Sequence, residues 1–266
     1  MDRRRLGKDR KVVPKSRVGR ESIEGSDSRV TEAVVLAGGF GTRLHTVLKD
    51  VPKILAPVRD VPFVHYILRW LETQGVRRVC ACTGHLANQV EAELRRYPGA
   101  LAIESLREQS PLGTGGAIYR GLRDVRGESA FVVNGDTYFP ADLAEFASAA
   151  RRLDAPLAVA LRRVDDTARY GAVEVRDGRI AGFREKGRTG PGLLNAGLYL
   201  LPRDLCRTVP MPEVFSWELD FLQPLAPTLG AAGVVLDTPF LDIGTPESYA
   251  LAESILPPLP SAPAQL

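Results

Sequence analysis

The chain has 266 residues, of which 44% are hydrophobic and 25% charged, with a formal net charge of +3 and three cysteines. That length and balance suit a globular domain with a sizeable core. No run of about 18 apolar residues occurs, which excludes a membrane-spanning helix, and no apolar core follows the N-terminal charges, which excludes a secretory signal.

The charge is unevenly spread. Residues 1–28 carry nine Lys/Arg and five Asp/Glu, so the remainder is close to −1. The opening stretch has no apolar periodicity and cannot offset its ordering entropy by burial. A disordered basic extension is expected over 1–29, with no more than nonspecific attraction to polyanions. The first element is the apolar run Ala33-Val34-Val35-Leu36-Ala37, which reads as a buried parallel strand. It ends in the turn Gly38-Gly39-Phe40-Gly41-Thr42, followed by Arg43 and, ten residues on, Lys53. A backbone that turns sharply with its N–H groups inward and two cations alongside suits a polyphosphate. It equally suits a tight strand-to-loop turn with a solvated Arg43. The spacing matches neither the dinucleotide fingerprint nor a Walker loop.

Helical spacing follows over Phe63–Gln74, ending at Gly75. Arg78–Cys82 reads as a strand, in which Cys80 and Cys82 are small buried apolar residues. Their spacing with His85 is poor for structural zinc, and a reducing cytoplasm is the default compartment. Leu86–Tyr97 reads as a helix, Ala102–Leu106 as a short strand and Gly115–Leu122 as a helix, with Thr114 read either as its N-cap or as part of a ligand-bordering loop. Ala130–Asn134 is a fully apolar strand, Asp142–Leu153 a helix and Pro156–Arg162 a strand. This alternation predicts an α/β fold: a Rossmann-like, mostly parallel sheet flanked by helices on both faces. After Tyr170 the pattern changes to a hairpin turning at Asp177-Gly178, read as a small antiparallel lobe over the crevice at the strand C-termini. Phe215–Leu222 reads as an amphipathic helix capped by Ser216. The Pro-rich residues 256–266 read as a tail, leaving 30–255 as the domain.

Two carboxylates stand at strand ends. Asp136, in Asn134-Gly135-Asp136, follows the apolar strand and faces the crevice. It is placed either to hold Mg²⁺, a hard cation that prefers oxygen, or to cap an Asx-type turn. Asp242 sits similarly in PFLDIGTPE. Lysine is rare: six against 29 arginines, with only Lys49, Lys53 and Lys186 beyond the extension. A lysine kept at 53 and 186 suits contact of a compact charge with one phosphate. The three histidines, His45, His65 and His85, are scattered, and His65 lies on an apolar helical face typical of the core.

GGFGTRL followed by Pro52-Lys53 resembles the signature of the sugar-1-phosphate nucleotidyltransferases, and the likeness extends over about Thr31 to Ser254. The resemblance implies an NTP and a sugar-1-phosphate as substrates, with Mg²⁺ as cofactor. It implies that Arg43, Lys53 and Asp136 are catalytic and that Asp136 and Asp242 hold the metal. It places Leu36, Gly38, Gly39, Gly41, Thr42, Glu108, Gly113 and Thr114 around the nucleotide. Glu108 and Leu112-Gly113-Thr114-Gly115-Gly116 resemble the nucleobase segment P-L-G-T-A-G, with Gly115 replacing the alanine. Tyr170, Gly171, Glu185, Lys186, Asn195 and Gly197 resemble the sugar-phosphate site, although Gly171 and Gly197 also read as a bulge or packing positions. FSWELDFL, NGDTYF and His45-Thr46 where the family usually has proline resemble the heptose-1-phosphate guanylyltransferase branch. That departure separates the chain from the thymidylyltransferases. Guanylyl transfer to a manno-heptose 1-phosphate is the first expectation. Mannose-1-phosphate guanylylation, or thymidylyl, cytidylyl or adenylyl transfer to a hexose or heptose phosphate, is the alternative.

Other classes fit less well. A regulatory paralogue would have lost Arg43 or one aspartate. A glycosyltransferase would carry a D-x-D pair, whereas Asp165 and Asp166 are adjacent. The domain lacks the aromatic-basic interleaving of a specific nucleic-acid binder. No hexapeptide repeat follows the domain. Oligomeric state is left open, a homo-oligomer included.

Overall fold

The computed structural model describes residues 29–39, 41, 44, 48 and 50–259. The basic segment 1–28, Thr42, Arg43 and residues 260–266 lie outside them. In chain order the strands and helices are β1 (Glu32–Leu36), β2 (Pro57–Val58), β3 (Val61–Pro62), α1 (Phe63–Thr73), β4 (Arg78–Thr83), α2 (Ala87–Arg95), β5 (Ala102–Arg107), α3 (Gly113–Asp124) and β6 (Ser129–Asn134). These are followed by β7 (Thr137–Tyr138), α4 (Leu143–Arg152), β8 (Ala158–Val164), β9 (Ala172–Arg176), β10 (Arg179–Arg184), β11 (Gly192–Pro202) and α5 (Leu205–Thr208). A π-helical turn, Trp217–Leu222, leads into α6 (Gln223–Leu229), β12 (Ala232–Val235), β13 (Leu241–Asp242), α7 (Pro246–Ala250) and α8 (Ala252–Ile255).

Nine strands form one sheet in the order β5-β4-β1-β6-β11-β8-β12-β10-β9. The pairs β5-β4, β4-β1, β1-β6 and β8-β12 are parallel, while β11 runs antiparallel between β6 and β8. The hairpin β9–β10 turns at Asp177-Gly178, both with positive φ, as the sequence predicts, and joins the far end of the sheet through β12. Small antiparallel pairs form between β7 and β13 and between β2 and β3.

Side chains alternate across the sheet because strand geometry has a period of two. On β1, Ala33 and Val35 enter one core and Val34 the other. The first core packs α1, α2, α4 and α8, with Phe63, Ile67, Val90 and Phe146. The second packs α3, α5, α6 and the π turn, with Ile118, Leu122, Leu205 and Ala226. Cys80 and Cys82 are buried there as free thiols. His65 is a buried core residue, its Nε2 3.0 Å from Glu93 Oε1. No helix among the described residues is long and apolar enough to cross a membrane.

Two local expectations are corrected. The segment after Ser216 is wound as a π turn rather than an α-helix, although Ser216 Oγ does accept the Leu219 N–H at 3.2 Å. Trp217 stacks on Phe221 at 4.2 Å, and Trp217, Phe221 and Leu222 are all buried. Thr114 does not cap α3, which begins a residue earlier, at Gly113. Its hydroxyl accepts the Trp217 N–H at 2.9 Å instead.

Candidate active site

Sheet order creates the site. β1 and β6 are parallel neighbours with Leu36 opposite Asn134, so the turn after β1 and Asn134-Gly135-Asp136 leave the same edge side by side. The Gly135 N–H donates to the Leu36 carbonyl at 3.0 Å. The chain then enters β7, whose Thr137 faces Asp242 of β13, and the Ile243 N–H donates to the Asp136 carbonyl. This two-stranded ribbon brings together two aspartates more than a hundred residues apart in sequence.

Lys53, at the start of a short 3₁₀ turn, lies between them. Its Nζ donates to Asp136 Oδ2 at 2.7 Å and lies 3.8 Å from Asp242 Oδ1. The side chain of Lys53 is 14% exposed, that of Asp242 21% and that of Asp136 43%. A β-carbon on Gly41 would sit 3.0 Å from that of Lys53, so the glycine turn rests on the lysine stem. Together these elements enclose a cleft of about 250 Å³. Leu36, Gly39, Gly41, Lys53, Thr114 and Asp136 line it, with Asn134 and Gly244.

The segment between β5 and α3 carries Glu108. The Glu108 N–H donates to the Thr83 carbonyl, and Glu108 Oε2 accepts the Leu112 N–H at 3.2 Å. Burial pushes the Glu108 carboxyl up, against the lowering effect of that bond. Gly38 packs against the Gly84 backbone, and Gly84 in turn lies beside Glu108 Oε2. The glycine run opening α3 is clasped by Glu213–Trp217: the Gly115 N–H donates to the Phe215 carbonyl, and Phe215 N–H to Leu112. A β-carbon on Gly115 would meet the Phe215 ring at 2.1 Å. That contact is a steric reason for glycine where the family pattern has alanine.

Asn195 and Gly197 sit where β11 breaks register with β8. Asn195 Oδ1 accepts the Gly197 N–H at 3.1 Å, and its Nδ2 donates to Tyr199 Oη at 2.9 Å. Gly197 abuts the side chain of the cleft residue Asn134. Gly171, at φ +78°, lies under the 184–186 backbone, where a β-carbon would be 2.7 Å from the Arg184 carbonyl oxygen. Only glycine combines that conformation with that approach. Tyr170 packs edge-on against Phe240. Glu185 and Lys186 are exposed just beyond β10, and neither lines the cleft. Gly38, Glu108, Gly113, Tyr170, Gly171, Asn195, Gly197 and Asp242 are not among its lining residues. Arg43 and Thr42 fall outside the described residues.

Sequence reasoning missed Arg169. Its Nη2 donates to Asp242 Oδ2 at 3.1 Å and to Ser248 Oγ at 3.3 Å. One arginine among 29 carries no signal of its own. Asn134, Ile54 and Gly244 also line the cleft. The first and last belong to motifs whose aspartates drew the attention, while Ile54 reads as core.

The donor set fits Mg²⁺. Two carboxylates flank one cation, Lys53, and Asp136 is open to solvent; Mg²⁺ takes one or two carboxylates and completes its shell with water and substrate phosphate. Among the described residues no group of three or more His, Cys, Asp or Glu converges as a self-sufficient metal cage.

Comparison with known proteins finds relatives over most of the chain. The family model described as nucleotidyl transferase matches residues 32–256. A D-glycero-alpha-D-manno-heptose 1-phosphate guanylyltransferase of Aneurinibacillus thermoaerophilus is 37% identical over 226 residues, covering 85% of this chain and 98% of that protein. A mannose-1-phosphate guanylyltransferase of Mycobacterium tuberculosis is 32% identical over 82% of this chain and 62% of its own length. The crystal structure of HddC from Yersinia pseudotuberculosis complexed with GMP-PN superimposes with a TM-score of 0.75 at 34% identity, covering 85% of this chain and 99% of that one.

Proposed function

The chain belongs to the nucleotidyl transferase family, and from that premise we propose that it transfers a guanylyl group from GTP to a manno-heptose 1-phosphate, releasing pyrophosphate. The observation that carries the reading is the cleft in which Lys53 bridges toward Asp136 and Asp242 beside the glycine turn.

A sugar phosphate oxygen attacks the α-phosphorus in line; the new P–O bond forms as the bond to the β-phosphate oxygen breaks. The nucleophile is already an anion, so no side chain has to take a proton from it. Catalysis then consists of positioning and charge compensation. Lys53 holds the α-phosphate region, and Arg43 offsets charge on the departing pyrophosphate. Lys186 receives the sugar phosphate, while Glu185, Asn195 and the backbone around Gly171 and Gly197 meet the sugar. Asp136 and Asp242 would hold Mg²⁺, which would supply neutralisation of phosphate charge.

Guanine is supported by the chemistry of Glu108 as well as by the relatives. Guanine offers two adjacent donors, N1–H and the 2-amino group, to a carboxylate that only accepts. Thymine and uracil set one N–H between two carbonyl oxygens, which a carboxylate repels. The test is pyrophosphate release from ATP, CTP, GTP, TTP and UTP against heptose, mannose and glucose 1-phosphates. The highest kcat/KM should come from GTP with manno-heptose 1-phosphate. Equal or better turnover with another base, or with mannose, would replace that half of the assignment. Glu108→Gln should cost roughly ten- to a hundredfold in kcat/KM for GTP and narrow the preference over UTP, because a donor then faces a donor.

A further inference from the structure

We propose that Arg169 is a positioning residue for the reaction: it fixes the Asp242 carboxylate so that its other oxygen stays beside Lys53. This rests on the reading that Asp242 serves the reacting phosphates.

Both oxygens of Asp242 are held. Oδ1 accepts the Gly244 N–H at 2.6 Å and lies 3.8 Å from Lys53 Nζ. Oδ2 accepts from Arg169 Nη2 at 3.1 Å. With one oxygen anchored on each side, the carboxylate cannot rotate without breaking a bond. Arg169 is itself anchored. The same Nη2 lies 3.3 Å from Ser248 Oγ, and the guanidinium covers the Tyr170 ring at 4.9 Å. Ser248 is placed by a capping box at the start of α7, in which Thr245 Oγ1 accepts the Ser248 N–H. This gives Thr245 of the D-I-G-T-P motif a reason: it sets the serine that steadies the arginine.

The backbone carrying Arg169 is strapped to the sugar-phosphate loop. The Gly187 N–H donates to the Ala168 carbonyl and the Gly171 N–H to Thr167, while Gly171 packs under residues 184–186. Arg169 thus joins the segment beneath Glu185-Lys186 to the Asp242 carboxylate. It also balances charge: two cations, Lys53 and Arg169, face two carboxylates, Asp136 and Asp242. Groups that orient a ligating carboxylate typically change metal affinity or activity by roughly ten- to a hundredfold when removed.

The experiment measures Mn²⁺ binding by electron paramagnetic resonance, with a non-hydrolysable GTP analogue bound. Asp242→Asn should weaken binding. Arg169→Ala should weaken it roughly ten- to a hundredfold, and Arg169→Lys should recover part of the loss by keeping one donor. The Arg169→Ala/Asp242→Asn double variant should be no weaker than Asp242→Asn alone, because the arginine acts through that carboxylate. In turnover, Arg169→Ala should raise the half-saturating Mg²⁺ while KM for GTP stays near wild type. Binding by Arg169→Ala within twofold of wild type, or effects that add in the double variant, would overturn the proposal while leaving the role of Asp242 intact. Unchanged binding by Asp242→Asn would instead remove the reading on which it rests. Arg169→Lys keeps charge and bulk, so it decides the matter even if the alanine variant folds poorly.

Discussion

The two edges of the sheet hold similar groups in opposite states. At the edge where β1 and β4 begin, Arg78 donates to Glu32 at 2.7 Å, to Glu104 at 2.6 Å and to the Asp124 carbonyl at 2.9 Å. The second oxygen of Glu32 accepts the Arg126 and Gly127 N–H groups. Burial would push the Glu32 carboxyl up, but the bonds from Gly127, Arg78 and Arg126 outweigh it and hold it below its ordinary value. At the opposite edge Asp136 has one strong cationic partner and stays 43% exposed. A closed network of charges joins strands; an open one leaves acceptor capacity for a ligand. The difference between Glu32 and Asp136 lies in how many lone pairs are already occupied; Asp242, at the open edge, is held at both oxygens.

The contrast can be broken most severely at the open edge. Asp136→Asn should lower kcat on the order of a thousandfold with little change in melting temperature, as followed by pyrophosphate release and calorimetry. Activity near wild type at saturating Mg²⁺ would mean that the open edge is not the reaction site. At the closed edge the balance reverses. Arg78→Met leaves buried Glu32 without its cation, and should cost about 3 kcal/mol of stability, while kcat of the folded fraction is retained. A denaturant titration beside active-site titration separates the two effects.

A smaller effect sharpens the comparison by pH. Folding lowers the carboxyls of Glu32, Glu72, Glu91 and Glu104 below 4.5. Their contribution to stability is therefore complete above that value and drains away as pH falls through the lower folded values. Melting temperature should fall gently below about pH 6.5, where the unfolded chain takes up the proton that burial keeps off His65, and more steeply below about 4.5 as these carboxyls are protonated. In Arg78→Met the decline should be shallower, because Glu32 and Glu104 lose the cation that held them ionised. An unchanged slope would show that the closed edge does not govern acid stability.

Much of this was legible in the chain. The apolar β1 and β6 runs, the helix over Phe63–Thr73 and the Asp177-Gly178 hairpin follow from periodicity and turn chemistry, which act over a few residues. The π turn at Trp217 was not legible. Its Ser216 cap and amphipathic pattern describe an α-helix as well, and no local signal separates that from the π turn in which Trp217 stacks on Phe221. The hydroxyl of Thr114 likewise passed from a local cap to a long-range partner, because Glu213–Trp217 packs across the glycines.

By itself the sequence determined the family motifs, the parallel α/β architecture and the presence of Leu36, Gly39, Gly41, Lys53, Thr114 and Asp136 in one cleft lining. Those are properties of short segments, and a glycine turn or a strand end carries its chemistry wherever it is placed. Only the tertiary structure decided that Lys53 stands between Asp136 and Asp242, that a β7–β13 ribbon joins those aspartates, and that Arg169 holds the second of them. Each of these contacts spans tens of residues or more and depends on strand order, which no local pattern encodes.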